Sequence, residues 1–232
     1  MTITSLDHAL DNPVWSCLTT RHAHLAQGGD LARRYPADIS SIAAVRDVSP
    51  ANVAALESLV PVGDAVALGG AQVPSLPANW ETLHEARMLQ MIRSDRSPLP
   101  EDAGPIAALA AADVDEMLAL VELTRPGPFR SRTVTLGTYV GIRDEGRLVA
   151  MAGERMWIGD HREVSAVCTH PDAQGRGYAR SLMANVVNRM LRAGQTPFLH
   201  VESGNATAIA VYRRLGFIDR AEFALRYAQR AG

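Results

Sequence analysis

The stretch "CTHPDAQGRGYARSLM", residues 168–183, decides how the whole chain is read. The residues that lead into it, "EVSAVCT" (163–169), read as a buried strand. Pro171 punctuates a loop, Gly175 and Gly177 stand two apart, and a helix begins immediately behind them. Strand, glycine turn and helix N-terminus together make a general anion cradle. The turn's backbone N–H groups point at the ligand, and the positive end of the helix dipole favours negative charge there.

Three phosphate-binding turns compete for this pattern. A dinucleotide turn needs Gly or Ala at its sixth position, where this chain has Arg180. A P-loop ends in Gly-Lys-Ser/Thr, which is absent. What fits is Gln174-x-x-Gly177-x-Ala179 following a strand.

The chain around it is 232 residues long, enough for one large core or two small ones. An apolar share of 47% and a charged share of 21% are ordinary for a soluble globular protein. A net charge of −2 argues against a dedicated nucleic-acid binder. Two cysteines, Cys17 and Cys168, cannot make a disulfide framework, which points to a reducing, cytoplasmic setting. The N-terminus "MTITSLDHALDNP" lacks a charged-then-apolar signal pattern. No apolar run approaches the roughly 18 residues of a membrane span, so no membrane partner is expected.

Ahead of the glycine turn, "DNPVWSCLTTRHAHLAQGG" (11–29) reads as one helix, with Asn12 as cap, Pro13 at the first helical position and Gly28-Gly29 as stop. His22 and His24 would be surface residues of that helix; as a metal pair their spacing is poor, and no metal is expected. A strand over 40–47, a helix over 50–60, a strand over 65–69 and a further strand over 83–92 follow. Residues 93–105, "RSDRSPLPEDAGP", are charged and Pro-rich and separate an N-terminal lobe (1–98) from a second domain (104–232). There "IAALAA" makes a first strand and Asp113 caps a helix. "GTYVGIRDEGRLVAMAGERM" makes a hairpin about Asp144-Glu145-Gly146. After the glycine turn come an amphipathic helix ended by Gly194, the strand "FLHVE", the helix "NATAIAVYRRLGF" and a last strand "EFALRYAQ".

Two of these segments together carry a family resemblance. Gln174-x-x-Gly177-x-Ala179 resembles the pyrophosphate-binding motif of the GNAT superfamily of acyl-CoA N-acyltransferases. "LHVESGNATAIAVYRRLGF" resembles its second signature: a strand, then Asn205, then Tyr212 seven residues on, then Leu-Gly-Phe. The resemblance covers residues 105–232. It implies an α/β (α+β) fold: a mixed, mostly antiparallel sheet flanked by helices, with a smaller N-terminal α/β lobe whose element order loosely echoes the same fold as a degenerate copy.

The resemblance also implies acetyl-CoA as cosubstrate, with its pantetheine arm along Val167, Cys168 and Thr169. The pyrophosphate would then lie on Gln174 and the amides of Gly175, Arg176, Gly177, Tyr178, Ala179 and Arg180. Asn205 would touch the pantetheine, and Tyr212 would give a proton to the leaving thiolate. Asn205 and Tyr212 lie two helical turns apart, hence on one face. The attacking group would be the primary amine of a small molecule or peptide, and it must be neutral. For a Lys-like amine at pH 7 that costs about 4.6 kcal/mol. Glu163, His200 and Glu202 are the candidate bases, Glu163 the first choice. His200 stands where some peptide-modifying relatives carry Glu. The alternative expectation is a non-catalytic acyl-CoA-binding regulatory module. The sequence leaves the acceptor and the oligomeric state open.

Overall fold

The computed structural model describes residues 8–101 and 105–232. Its spine is one 11-stranded sheet. The strands are β1 (Gln27–Gly28), β2 (Ala32–Arg34), β3 (Ile42–Val45), β4 (Ala65–Gly70), β5 (Trp80–Ile92) and β6 (Ile106–Leu109). They continue with β7 (Tyr139–Asp144), β8 (Arg147–Ile158), β9 (His161–Thr169), β10 (Thr196–Glu202) and β11 (Ile218–Arg230). The helices are α1 (Pro13–Thr19), α2 (Pro50–Leu59), α3 (Val114–Thr124), α4 (Tyr178–Arg192) and α5 (Ala206–Arg214). Across the sheet the order is β1-β2-β3-β4-β11-β5-β10-β9-β8-β7-β6. Most neighbours are antiparallel; β3 with β4 and β10 with β9 are parallel. This is the mixed, mostly antiparallel α/β architecture expected from the sequence.

The strand alternation sets the layers. Val140 and Ile142 face α4 in one core with Leu182, Met183, Val186 and Val187, while Tyr139 faces the opposite side with Met117 and Leu120 of α3. Farther along the sheet, α1 packs Val14, Cys17 and Leu18 onto Tyr35, Ile42, Met156 and Phe198. The parallel pair β3 and β4 is bridged by α2, whose Leu56 is fully buried.

β5 belongs to the first 98 residues in sequence, yet it pairs with β10 on one side and with β11 on the other. The two strands flanking α5 are therefore joined through a strand made more than a hundred residues earlier. The sheet runs unbroken across the boundary expected near 93–105.

The first helix is shorter than its sequence suggests. It ends at Thr19, and a 3₁₀ turn covers Ala23–Leu25. The hydroxyls of Thr19 and Thr20 bond back to the carbonyls of Trp15 and Ser16, the local competition that weakens Ser/Thr in helices. His22, expected on a helix surface, turns inward and is 6% exposed, with Nδ1 2.8 Å from the Tyr35 hydroxyl. β1 and β2 had no sequence signal, being too short to show alternation. Among the described residues no helix is long and apolar enough to cross a membrane, and no cluster of three metal-ligating side chains occurs.

Candidate active site

The site begins where two parallel strands part. β9 and β10 pair through only three residues, ending at Phe198 opposite Glu163. Beyond that vertex β10 continues along β5 and β9 along β8, so a wedge opens between them. A cavity of about 640 Å³ fills this wedge. Val164 to Thr169 line one wall and Leu199 to Glu202 the other.

β9 is irregular inside the wedge. Ala166 has φ 52°, and the ladder to β8 slips between the pairs Gly153–Ser165 and Met151–Cys168. Such a bulge frees backbone groups from the ladder and re-aims them. Here, among the described residues, nothing pairs β9 on its β10 side, so an extended ligand can add to it as a strand does. The Thr169 hydroxyl in this wall is buried without a partner, an unusual state for a polar atom.

At the end of β9 the glycine turn delivers the N-terminus of α4. Gly177 is its cap residue at φ 81°, and no side chain caps the helix. The N–H groups of Tyr178 and Ala179, at the head of this 15-residue helix, are thus left without an intrahelical partner and can meet an outside acceptor. A Cβ at Gly175 or Gly177 would meet no protein atom within 4 Å, and both have positive φ. The space over the turn is open, so these glycines serve the backbone conformation and leave room for a ligand, not for packing. Arg176 leans on Asp144 at 2.9 Å, and Gln174 lines the cavity.

α5 supplies the opposite rim. Asn205 caps it, its Oδ1 accepting from Ala208 N at 3.0 Å, and its side chain borders the cavity. Tyr212 borders it too, stacked obliquely on Phe217 at 6.2 Å, and burial pushes its hydroxyl up to about 12. Tyr212 therefore remains protonated across any working pH. Cys168 also lines the cavity, but burial lifts its thiol to about 11, which leaves it a poor nucleophile.

The candidate bases divide. Glu163 sits at the vertex, fully buried and behind the cavity wall. Arg155 grips it with two hydrogen bonds of 2.7 Å, and His200 Nδ1 lies 2.8 Å from Oε1. Burial alone would raise this carboxyl; the Arg155 charge and the two donors outweigh it and hold it at about 2. As a proton acceptor it is weak and already occupied, which counts against its place as first-choice base. His200 does border the cavity, but its second nitrogen faces Gln90 Nε2 at 2.9 Å. The Gln90 amide is oriented by Arg220, which donates to its Oε1, and by the Leu10 carbonyl, which accepts from its Nε2. The amide therefore donates to His200 Nε2, and His200 donates from Nδ1 to Glu163. Both ring nitrogens are engaged. Glu202 keeps free oxygens at the cavity mouth, 60% exposed and 3.8 Å from His84.

Sequence reading missed Arg155, Gln90 and the Ala166 bulge. An N-terminal lobe covering the acceptor side of the cleft was expected, but not the individual residues of that far wall, Pro13, Val14, Ile42, Ala67, Met88 and Phe223. The first five come from the N-terminal 98 residues.

The wedge, the bulged strand and the uncapped helix meet at one end of the sheet. A family model described as FR47-like protein matches residues 139–225. A solved structure from Novosphingobium aromaticivorans, described as belonging to the GNAT family, is 37% identical over 97% of this chain and 100% of that one, with a TM-score of 0.89. The chain belongs to the GNAT family of acetyltransferases. A GCN5-related N-acetyltransferase from Kribbella flavida shares the fold at 18% identity, covering 96% of both chains with a TM-score of 0.65. Mycothiol acetyltransferase from Saccharomonospora viridis is 44% identical over 68 residues, 29% of this chain and 22% of that protein. An uncharacterised protein of Mycobacterium leprae is 30% identical over 62% of this chain and 43% of its own length. The chain thus spans less than half the length of either curated relative.

Proposed function

We propose that this protein moves an acetyl group from acetyl-CoA to the primary amine of a small molecule or peptide. One observation carries the reading: Gln174 at the entry to the glycine turn, the unpaired bulged strand and Tyr212 all border one cavity. The pyrophosphate would lie on the amides from Gly175 to Arg180, with Gln174 beside it. The pantetheine would run along Val167, Cys168 and Thr169, and its amides would meet Asn205 and the orphaned Thr169 hydroxyl.

In the reaction the amine nitrogen attacks the thioester carbon, and the developing oxyanion takes hydrogen bonds from backbone N–H groups at the bulge. The C–S bond then breaks, and Tyr212 donates its proton toward the departing sulfur. Glu202, the candidate with unoccupied oxygens at the cavity, accepts the amine's proton directly or through one water. Glu163 and His200 act behind the wall, holding the vertex of the wedge. Residues 104–232 supply the cradle and Tyr212; residues 1–98 wall the acceptor end. Two free cysteines suit a reducing, cytoplasmic compartment.

Incubation with acetyl-CoA and a panel of amines, with free thiol as the readout, tests the proposal. Thiol release that depends on an amine supports it. Tight acetyl-CoA binding with no release for any amine favours the non-catalytic binding module instead.

A further inference from the structure

The far end of the cavity has an unusual composition. Its wall is apolar, from Val14, Ile42, Ala67, Met88, Phe223 and Leu225, and the Arg155 guanidinium interrupts it; the cavity's other lining arginine, Arg125, stands at the C-terminus of α3. Arg155 lines the cavity with its side chain 14% exposed. Glu163 takes its Nε and Nη2 in a bidentate grip, one of the two forks that a planar guanidinium offers. The other fork, built from Nη1 and the second N–H of Nη2, makes no hydrogen bond to any described residue, and neither nitrogen is among the enclosed polar atoms that lack a partner.

The charges around it are balanced in pairs. Arg155 faces Glu163, and Arg162 faces Glu154 at 2.9 Å. The anchoring pair is rigid: Glu163 is further fixed by His200, which Gln90 fixes in turn. An unfilled fork on a clamped guanidinium, in an apolar surround, matches the shape of a planar two-oxygen acceptor.

Resting on the acetyl-transfer reading above, we infer that the acceptor is a small amine with an apolar body and a carboxylate, and that Arg155 anchors this carboxylate through its free fork. The apolar body lies against the wall contributed by α1, β3, β4 and β5. Arg155 is then a specificity-determining residue, and Glu163 is the group that aims it. The same fork would hold an amide oxygen more weakly, with one lone-pair centre in place of a charged pair.

The test is read as binding, so that it does not depend on transfer. Calorimetry on the coenzyme A-loaded protein compares three matched pairs: leucine with isoamylamine, phenylalanine with phenethylamine, and ε-aminocaproate with hexylamine. Leucinamide separates carboxylate from amide recognition. In at least one pair the carboxylate member binds roughly tenfold tighter or better, and the amide falls between. Arg155→Lys keeps a charge against Glu163 but loses the second fork, and it brings the pair to within about threefold. Equal binding of all three pairs, no binding by any carboxylate member, or an undiminished preference in the lysine variant overturns the inference. Should the variant fail to fold, the wild-type comparison decides alone. Failure of the acetyl-transfer reading shows separately, as no thiol release with any amine whatever the binding order.

Discussion

His200 Nδ1 stands 2.8 Å from Glu163 Oε1, two residues past the point where β9 and β10 separate. The bond ties the two walls together at the root of the wedge. It also occupies both side chains, which is why the proposed reaction gives the base role to Glu202 at the mouth.

Glu202→Gln is expected to lower turnover by roughly 10²-fold or more near neutral pH. The deficit should shrink as pH rises and the amine becomes neutral by itself. Glu163→Gln should show no such pH-dependent recovery. It strands the buried Arg155 charge and should cost about 3–5 kcal/mol of stability in denaturant titrations. If the pH-dependent deficit appears in Glu163→Gln and not in Glu202→Gln, the roles are exchanged.

Tyr212→Phe keeps the ring on Phe217 and loses only the hydroxyl. Turnover should fall by about 10- to 10⁴-fold while acetyl-CoA affinity stays nearly constant, a kcat effect. Wild-type turnover would reduce Tyr212 to a packing residue.

Gly177→Asp places a carboxylate over the open turn, where the φ of 81° costs the new residue about 1–2 kcal/mol. Acetyl-CoA binding should become undetectable by calorimetry while circular dichroism still reports a folded chain. Unchanged affinity would remove the cradle assignment.

His22 carries an acid-sensitivity of its own. Burial, then the nearby Arg162 and His24 charges, lower its folded value from 6.5 to about 4. The unfolded chain therefore takes the proton first, and stability present above pH 6.5 drains as pH falls toward 4, on the order of 3 kcal/mol. Glu163 acts in a lower window, from 4.5 down to about 2. His22→Asn should flatten the upper window in urea melts taken at successive pH values and leave the lower one. An unaltered slope between pH 6.5 and 4 would exclude His22 as its source.

The cradle was legible because its signals are local: a strand, a φ-permissive turn and a helix start lie within 20 consecutive residues. The Asn205–Tyr212 spacing was legible for the same reason. The clamp on Glu163 left a fainter trace. Counting outward from the Gly159-Asp160 turn places Met156 opposite Glu163, and it is the irregularity between Glu154 and Trp157 that also brings Arg155 there. No sequence rule marks that bulge, or the one at Ala166, since neither carries a glycine. The place of β5 was hidden more deeply. "WETLHEARMLQMI" lacks clean alternation because strands cover both its edges while much of its faces meets solvent.

The position of β5 has a consequence for how the protein is made. On a ribosome, Trp80–Ile92 emerges long before either of its partners. Residues 198–202 and 218–230 must be synthesised before its two edges are covered. Until then it is a 13-residue ribbon with both hydrogen-bonding sides open, the form of chain most prone to pair with a stranger. Closure of the catalytic sheet is thus among the last events of biogenesis, and any stop before residue 230 leaves that ribbon unfinished.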